Sequence, residues 1–211
     1  NGIMLMLWGY YKKLAVADRL APVVNSVYDS PMHYNGPHFI IATVLFAIQL
    51  YCDFSGYTDI ARGAALAMGI RLSGNFNRPY SSRSIIEFWR RWHISLSSWF
   101  RDYLYIPLGG NRVGRQRWYL NLFITFVIAG LWHGGQMTFI IWGSLHGAYV
   151  IISRMTEKIR KKISSTLHLD RNPSAHKYVQ ITITASLVCF AWIFFRARTM
   201  HEAVHIIKML P

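Results

Sequence analysis

The sequence predicts an all-α protein: a polytopic transmembrane helical bundle with an interfacial amphipathic helix and short re-entrant-type helices. Three observations carry that expectation. The 211 residues are 53% hydrophobic and only 15% charged, against about 25% charged in soluble domains. Lys and Arg number 23 against 9 Asp and Glu, a formal net charge of +14. Mean hydropathy is nevertheless positive, so apolar and basic residues must be segregated along the chain. This composition excludes a disordered chain, a secreted disulfide scaffold and an ordinary soluble enzyme. Cys52 and Cys189 lie in apolar runs without a motif, which reads as two buried thiols.

The elements follow in chain order. Stretch 3–8 reads as the tail of an apolar helix. Its beginning is missing, so residues 1–211 are expected to be a single membrane-embedded region of a longer polytopic chain. Stretch 39–52 is apolar and can run on through 53–57 into 60–70, as one long helix or as two with a polar break. Stretches 119–132 and 137–152 are each shorter than the roughly 20 apolar residues a spanning helix needs. They meet at His133-Gly134-Gly135-Gln136, a turn expected at membrane depth, where non-helical backbone must be covered by protein or a water-filled cavity. Stretch 178–195 comes close to spanning length, and 200–210 reads as a short amphipathic helix.

Between 83 and 105, Ile85, Phe88, Trp92, Leu96, Trp99 and Tyr103 recur at spacings of 3, 4, 4, 3 and 4, which is helical periodicity. Glu87, Arg91, Ser95 and Ser98 take the other side. One basic, Trp-rich amphipathic helix is expected there, lying in the membrane interface and ended by a turn at 107–112. Residues 73–118 hold eight Arg and two acids, and 153–177 hold seven Lys or Arg and two acids. Both segments are expected on the cytoplasmic side, with the 119–152 hairpin dipping in and returning. Anionic lipid headgroups account for such loops beside apolar helices, so membrane lipids are the expected partner and nucleic acid is not.

Nine histidines are too many to act together. His33, His38, His168 and His176 sit in polar contexts and are expected to be solvated. His146, inside an apolar helix, reads as a hydrogen-bonded structural residue. His93 borders the apolar face of the amphipathic helix. His133 stands at a turn between two apolar runs, where an ionisable group is costly and usually functional. His201-Glu202-Ala203-Val204-His205 fits the zinc-protease pattern H-E-x-x-H, but a catalytic zinc needs a third protein ligand and none stands out. Asp59 is placed to pair with Arg62 at i+3. Asp53 has no local partner, so it lines a polar cavity or bonds a neighbouring helix. Neither a G-x-S-x-G elbow nor a phosphate loop is present, so a serine or cysteine nucleophile is not indicated.

Three segments together resemble a known family. They are Tyr51-Cys52-Asp53-Phe54-Ser55-Gly56-Tyr57-Thr58-Asp59, the block from Glu87-Phe88-Trp89-Arg90-Arg91-Trp92-His93 through Pro107-Leu108-Gly109-Gly110, and Gly130-Leu131-Trp132-His133-Gly134. The chain resembles the membrane-bound O-acyltransferases, in the bacterial branch that modifies extracytoplasmic polymers, with the alginate-acetylating type nearest. The resemblance implies many helices around a tunnel with a histidine at its neck. It assigns His133 as the catalytic histidine and His93 as the second signature position. Asp53, Trp132, Arg90 and Arg91 are the expected substrate-binding residues, and no metal is expected.

The expected reaction moves an acyl group, most simply acetyl, from acetyl-CoA or another thioester donor toward hydroxyls of an extracytoplasmic polysaccharide such as alginate, with His133 as general base. The donor is a substrate, and no bound cofactor is expected. The resemblance further implies a serine-esterase-like partner outside the membrane and a multi-pass location in a bacterial cytoplasmic (inner) membrane. Two rival readings compete: a membrane zinc protease using His201, Glu202 and His205, and a non-catalytic fragment or transport scaffold.

Overall fold

In a computed structural model, residues 1–166 and 172–211 are described, and every regular element among them is helical. His168 and Asp170 lie outside the described residues. The chain divides into two compact units, 1–76 with 192–211, and 77–191.

In the first unit, α1 (Gly2–Tyr10) continues through a π-helical segment (Tyr11–Ala17) into α2 (Asp18–Tyr28), and α3 (Gly36–Ala67) packs along them. Glycines set the approach of α1 to α3. A Cβ on Gly9 would lie 2.6 Å from the Gly56 carbonyl oxygen, and one on Gly2 would overlap the Gly63 carbonyl. Gly2 and Gly9 on α1, and Gly56 and Gly63 on α3, are each seven residues apart and so on one helix face, and such a seam of small residues lets backbones touch. The wide π turn then carries two successive lysines to acids. Lys12 Nζ donates to Ser55 Oγ at 2.9 Å and pairs with Asp59 at 2.6 Å, while Lys13 pairs with Asp53 at 2.6 Å and Asp18 at 2.9 Å. Asp53 thus bonds a neighbouring helical segment, and Asp59 also holds Arg62 at 3.3 Å, the expected i,i+3 pair.

The stretch through 53–57 forms no break, since α3 is one helix of 32 residues, about 48 Å at 1.5 Å per residue. It ends in a Schellman motif. Gly69, at φ +81°, reverses the chain, and Ile70 N–H donates to the Ala65 carbonyl while Gly69 N–H donates to that of Leu66.

Helix α9 (Pro173–Arg196) enters this unit at Trp192, whose ring meets Phe46 edge-on. Arg196 lies over the Tyr28 ring and bonds Asn25 and Asp29. Helix α10 (Met200–Met209) is capped by Thr199, whose hydroxyl accepts from Glu202 N–H, while the Glu202 carboxylate accepts from Arg198 N–H. The glutamate of the H-E-x-x-H string is therefore part of a capping box.

The second unit contains α4 (Ile85–Arg91), α5 (Ile94–Phe100), a π-helical turn (Arg101–Tyr105), α6 (Arg115–His133), α7 (Met137–Met155) and α8 (Glu157–Thr166). Helices α6 and α7 form an antiparallel hairpin drawn together at Gly130 and Gly143. A Cβ on either would overlap a carbonyl of the facing helix, that of Phe139 or Phe126. Asn121 clamps the glycine turn before α6, donating to the Leu108 and Gly110 carbonyls.

The single amphipathic helix expected over 83–105 is corrected. The chain leaves helical geometry at Trp92, which is extended, and His93, at φ +41°. A left-handed non-glycine residue costs about 1 kcal/mol, so tertiary packing holds it there. The break also resets the phase of the buried face: Ile85, Phe88 and Trp92 are buried as expected, as is Phe100, which the helical wheel also puts on the apolar face, whereas Trp99 and Tyr103 are exposed.

By length and composition, α3 and α9 are long and apolar enough to cross a membrane. Cys52 is buried and Cys189 half-buried, both as free thiols.

Candidate functional site

The second unit gathers the two leading histidines. His133 is the last residue of α6, and Gly134 leaves the helix in extended backbone (φ 164°, ψ 156°). The Gln136 carbonyl then accepts from Phe139 N–H and starts α7. Aromatic rings hold the imidazole from several sides. Its centroid lies 5.0 Å from Trp132, 5.1 Å from Trp142 in an edge-on arrangement and 6.3 Å from Phe139, which stacks on it. Trp132 is 57% exposed, so one side of this cluster remains open to a ligand.

His93 reaches the same place from the α4–α5 break. Its ring centroid is 6.5 Å from that of Trp132. Burial pushes its pKa down to about 4, and the charge of nearby His133 acts in the same direction. At neutral pH, His93 is therefore an uncharged imidazole able to donate from one nitrogen and accept at the other.

Behind these two lies a layer that sequence reasoning assigned only in part. His146, fully buried on α7, accepts a hydrogen bond at Nδ1 from Trp89 Nε1 at 3.3 Å, which fits its expected structural role. That bond places its own proton on Nε2. Trp142 stands between His133 and His146, 5.1 Å from each ring, and Trp89 meets Trp142 at 5.9 Å. Sequence reasoning missed Trp142 and Trp89 as parts of this cluster. The available signal was the four-residue step from Trp142 to His146, one helical turn, which lines them up on the face of α7 that meets α4.

The other expected residues fall as follows. Arg90 is exposed on α4, one residue from the buried cluster. Arg91 pairs with Glu87 at 2.6 Å, and its carbonyl accepts from Asn77 N–H, anchoring the loop before α4. Asp53 belongs to the first unit, paired with Lys13. His33 and His38 are exposed, and His176 is half-buried beside Gln180. His201 is exposed, and His205 packs edge-on against Phe39. Among the described residues, no group of three His, Cys, Asp or Glu side chains is placed to hold a metal, so the zinc-protease reading gains no third ligand.

Comparison with known proteins agrees with the motif reading. The model of the membrane-bound O-acyltransferase family matches residues 2–195. The chain is 45% identical to the probable alginate O-acetylase of Pseudomonas putida over 203 residues, covering 96% of this chain and 39% of that protein. It is 39% identical to the peptidoglycan O-acetyltransferase of Helicobacter pylori, over 98% of this chain and 38% of that protein. The teichoic acid D-alanyltransferase of Bacillus subtilis is 34% identical, over 74% of this chain and 40% of its own. The chain thus spans well under half the length of the curated relatives it matches.

Proposed function

Because the chain belongs to the membrane-bound O-acyltransferase family, we propose that it forms part of a polytopic enzyme moving an acetyl group from a thioester donor toward the hydroxyls of an extracytoplasmic polysaccharide, alginate being the nearest example. In this reading, 1–211 is one membrane-embedded region, with the 119–152 hairpin dipping from the cytoplasmic face of a bacterial inner membrane. The observation that supports it best is the pairing of His133 and His93 around Trp132 at the broken ends of two helices, with one side open.

His133 takes the proton of the attacking hydroxyl as its oxygen bonds the thioester carbonyl carbon. The carbon–sulfur bond then breaks, and the proton passes to the leaving thiolate, giving an ester and a free thiol. His93, neutral at pH 7, is placed to donate to the oxyanion formed in between. Trp132 offers an apolar face to the acyl group, and Arg90 and Arg91 supply positive charge for the donor's phosphates. Asp53, paired with Lys13 in the first unit, ties α3 to the π-helical segment. A serine-esterase-like partner carries the acyl group onward.

The test uses membranes carrying the longest reading frame that contains this chain, with labelled acetyl-CoA, comparing wild type and His133→Ala at matched expression. Loss of a positioned base predicts a fall of about 10²–10⁴-fold in transferred label. Equal labelling in the two would remove His133 from the mechanism.

A further inference from the structure

A second site emerges in the first unit, at the end of α3. The Schellman reversal at Gly69 folds Ile70, Arg71 and Leu72 back over the last turns of α3. Together with Leu5 of α1, Arg62 and Leu66, they line a groove of about 340 Å³. It holds two guanidinium groups and four aliphatic side chains but no acid.

The positive charge of Arg62 is only partly spent. Asp59, its one carboxylate contact, is held more closely by Lys12, at 2.6 Å against 3.3 Å, so a single negative charge faces two positive ones. Among the described residues, the buried Arg62 Nε has no hydrogen-bond partner, although burying such a donor unsatisfied is costly. Gly74 passes beside the guanidinium, where a Cβ would stand 3.8 Å from Cζ.

The apolar part of the groove continues. Leu5 and Leu66 also border a second groove that runs past Met4 and Trp8 along α1, and Met4, Trp8 and Leu66 are exposed. A paired cationic head with an aliphatic track leading away matches an amphiphile with one anionic group at its end. Arg is suited to phosphate because its donors form a rigid fork. The site lies at the end of a helix long and apolar enough to cross a membrane, just before the basic segment that begins at Ser73.

We infer that the groove formed by Arg62, Arg71, Leu5, Leu66, Ile70 and Leu72 seats the phosphodiester of an anionic phospholipid, with an acyl chain along Leu5, Leu66, Met4 and Trp8. The phosphate oxygens accept from the outer nitrogens of Arg62 and from Arg71, which fastens the α3 reversal to the bilayer surface. A soluble phosphate compound would use the two arginines and leave the aliphatic track empty, so the lipid is the better occupant.

The experiment is native mass spectrometry of the detergent-purified protein from the longest reading frame containing this chain, titrated with phosphatidylglycerol. Arg71→Gln should weaken retention roughly ten-fold or more, the scale of one charge-assisted hydrogen bond. Arg71→Lys should restore part of it, and Arg117→Gln, an exposed arginine in the other unit, should match wild type. Phosphatidylcholine with the same acyl chains should be held less well. Unchanged retention in Arg71→Gln would overturn the assignment, because the arginine would then contribute nothing, and equal retention of the two lipids would overturn the choice of an anionic lipid, because a choline cation beside two arginines would then cost nothing. Displacement of phosphatidylglycerol by glycerol 3-phosphate at similar concentration would also overturn it, in favour of a soluble phosphate. The readout is lipid retention, so it stands or falls apart from acyl transfer.

Discussion

At the scale of single residues, His93 combines three properties that rarely coincide. It sits at φ +41°, it is largely withdrawn from water, and it neighbours a second imidazole. Strained backbone of this kind persists where the surrounding structure over-determines it, often at working sites. The lowered pKa has a direct consequence for stability. The unfolded chain protonates this imidazole near its ordinary value, about 6.5, whereas the folded protein resists protonation until about pH 4. Between those values the unfolded state binds more protons, so stability falls as pH drops from about 6.5 toward 4 and is lost no further below that. His93→Gly keeps the left-handed backbone without a Cβ penalty and removes the titrating group. Thermal unfolding followed from pH 7 to pH 4 should therefore show a shallower decline in the variant than in wild type. Identical slopes would show that His93 is not the group that resists protonation.

At the scale of elements, glycine pairs decide how closely helices approach, and the hairpin of α6 and α7 offers the cleanest test. A methyl group on Gly143 would meet the Phe126 carbonyl directly, whereas one on Gly135 finds nothing within 4 Å. Gly143→Ala should push the helices apart and destabilise by about 1–3 kcal/mol, the usual cost of overpacking. Gly135→Ala should unfold at the wild-type temperature. Equal midpoints for the two variants would mean that the hairpin absorbs the methyl without strain. The same elements show what a linear sequence reveals. The Asp59–Arg62 pair was legible because i,i+3 neighbours share a helix face, and so were Ile85 and Phe88 as core. The Lys12–Asp59 bond was not, since 47 residues separate its partners and a π-helical turn aims the lysine. Trp99 and Tyr103 were assigned to the buried face because periodicity assumes an unbroken helix. The break at Trp92 and His93 is fixed by packing between elements rather than by local propensity. The end of α6 at His133 was legible for the opposite reason: the Gly-Gly turn between two apolar runs is a local signal, and the helix ends where those glycines begin.

At the scale of the whole molecule, charge segregation and hairpin geometry make the same statement about topology. Antiparallel packing of α6 and α7 brings the start of one to the end of the other. Arg154, near the C-terminus of α7, lies 5.8 Å over the ring of Trp118 in the first turn of α6. Residues 115–118 and the end of α7 therefore share one end of the hairpin, while His133 and its glycine turn occupy the opposite end, with His93 beside them. If the basic end faces the cytoplasm, as the concentration of Lys and Arg requires, His133 is carried toward the bilayer interior by the length of a 19-residue helix, about 28 Å. On the proposed function His133 acts away from that basic end, and the cations nearest to it are Arg90 and Arg91, which precede His93. Single cysteines replacing Arg117 and Lys161, in a background with Cys52→Ser and Cys189→Ser, should react with a membrane-impermeant maleimide from the same side and only when the cytoplasmic face is accessible. Labelling of the two from opposite faces would break the hairpin topology. Labelling of both from outside would invert it, and with it the route by which donor and acceptor approach His133.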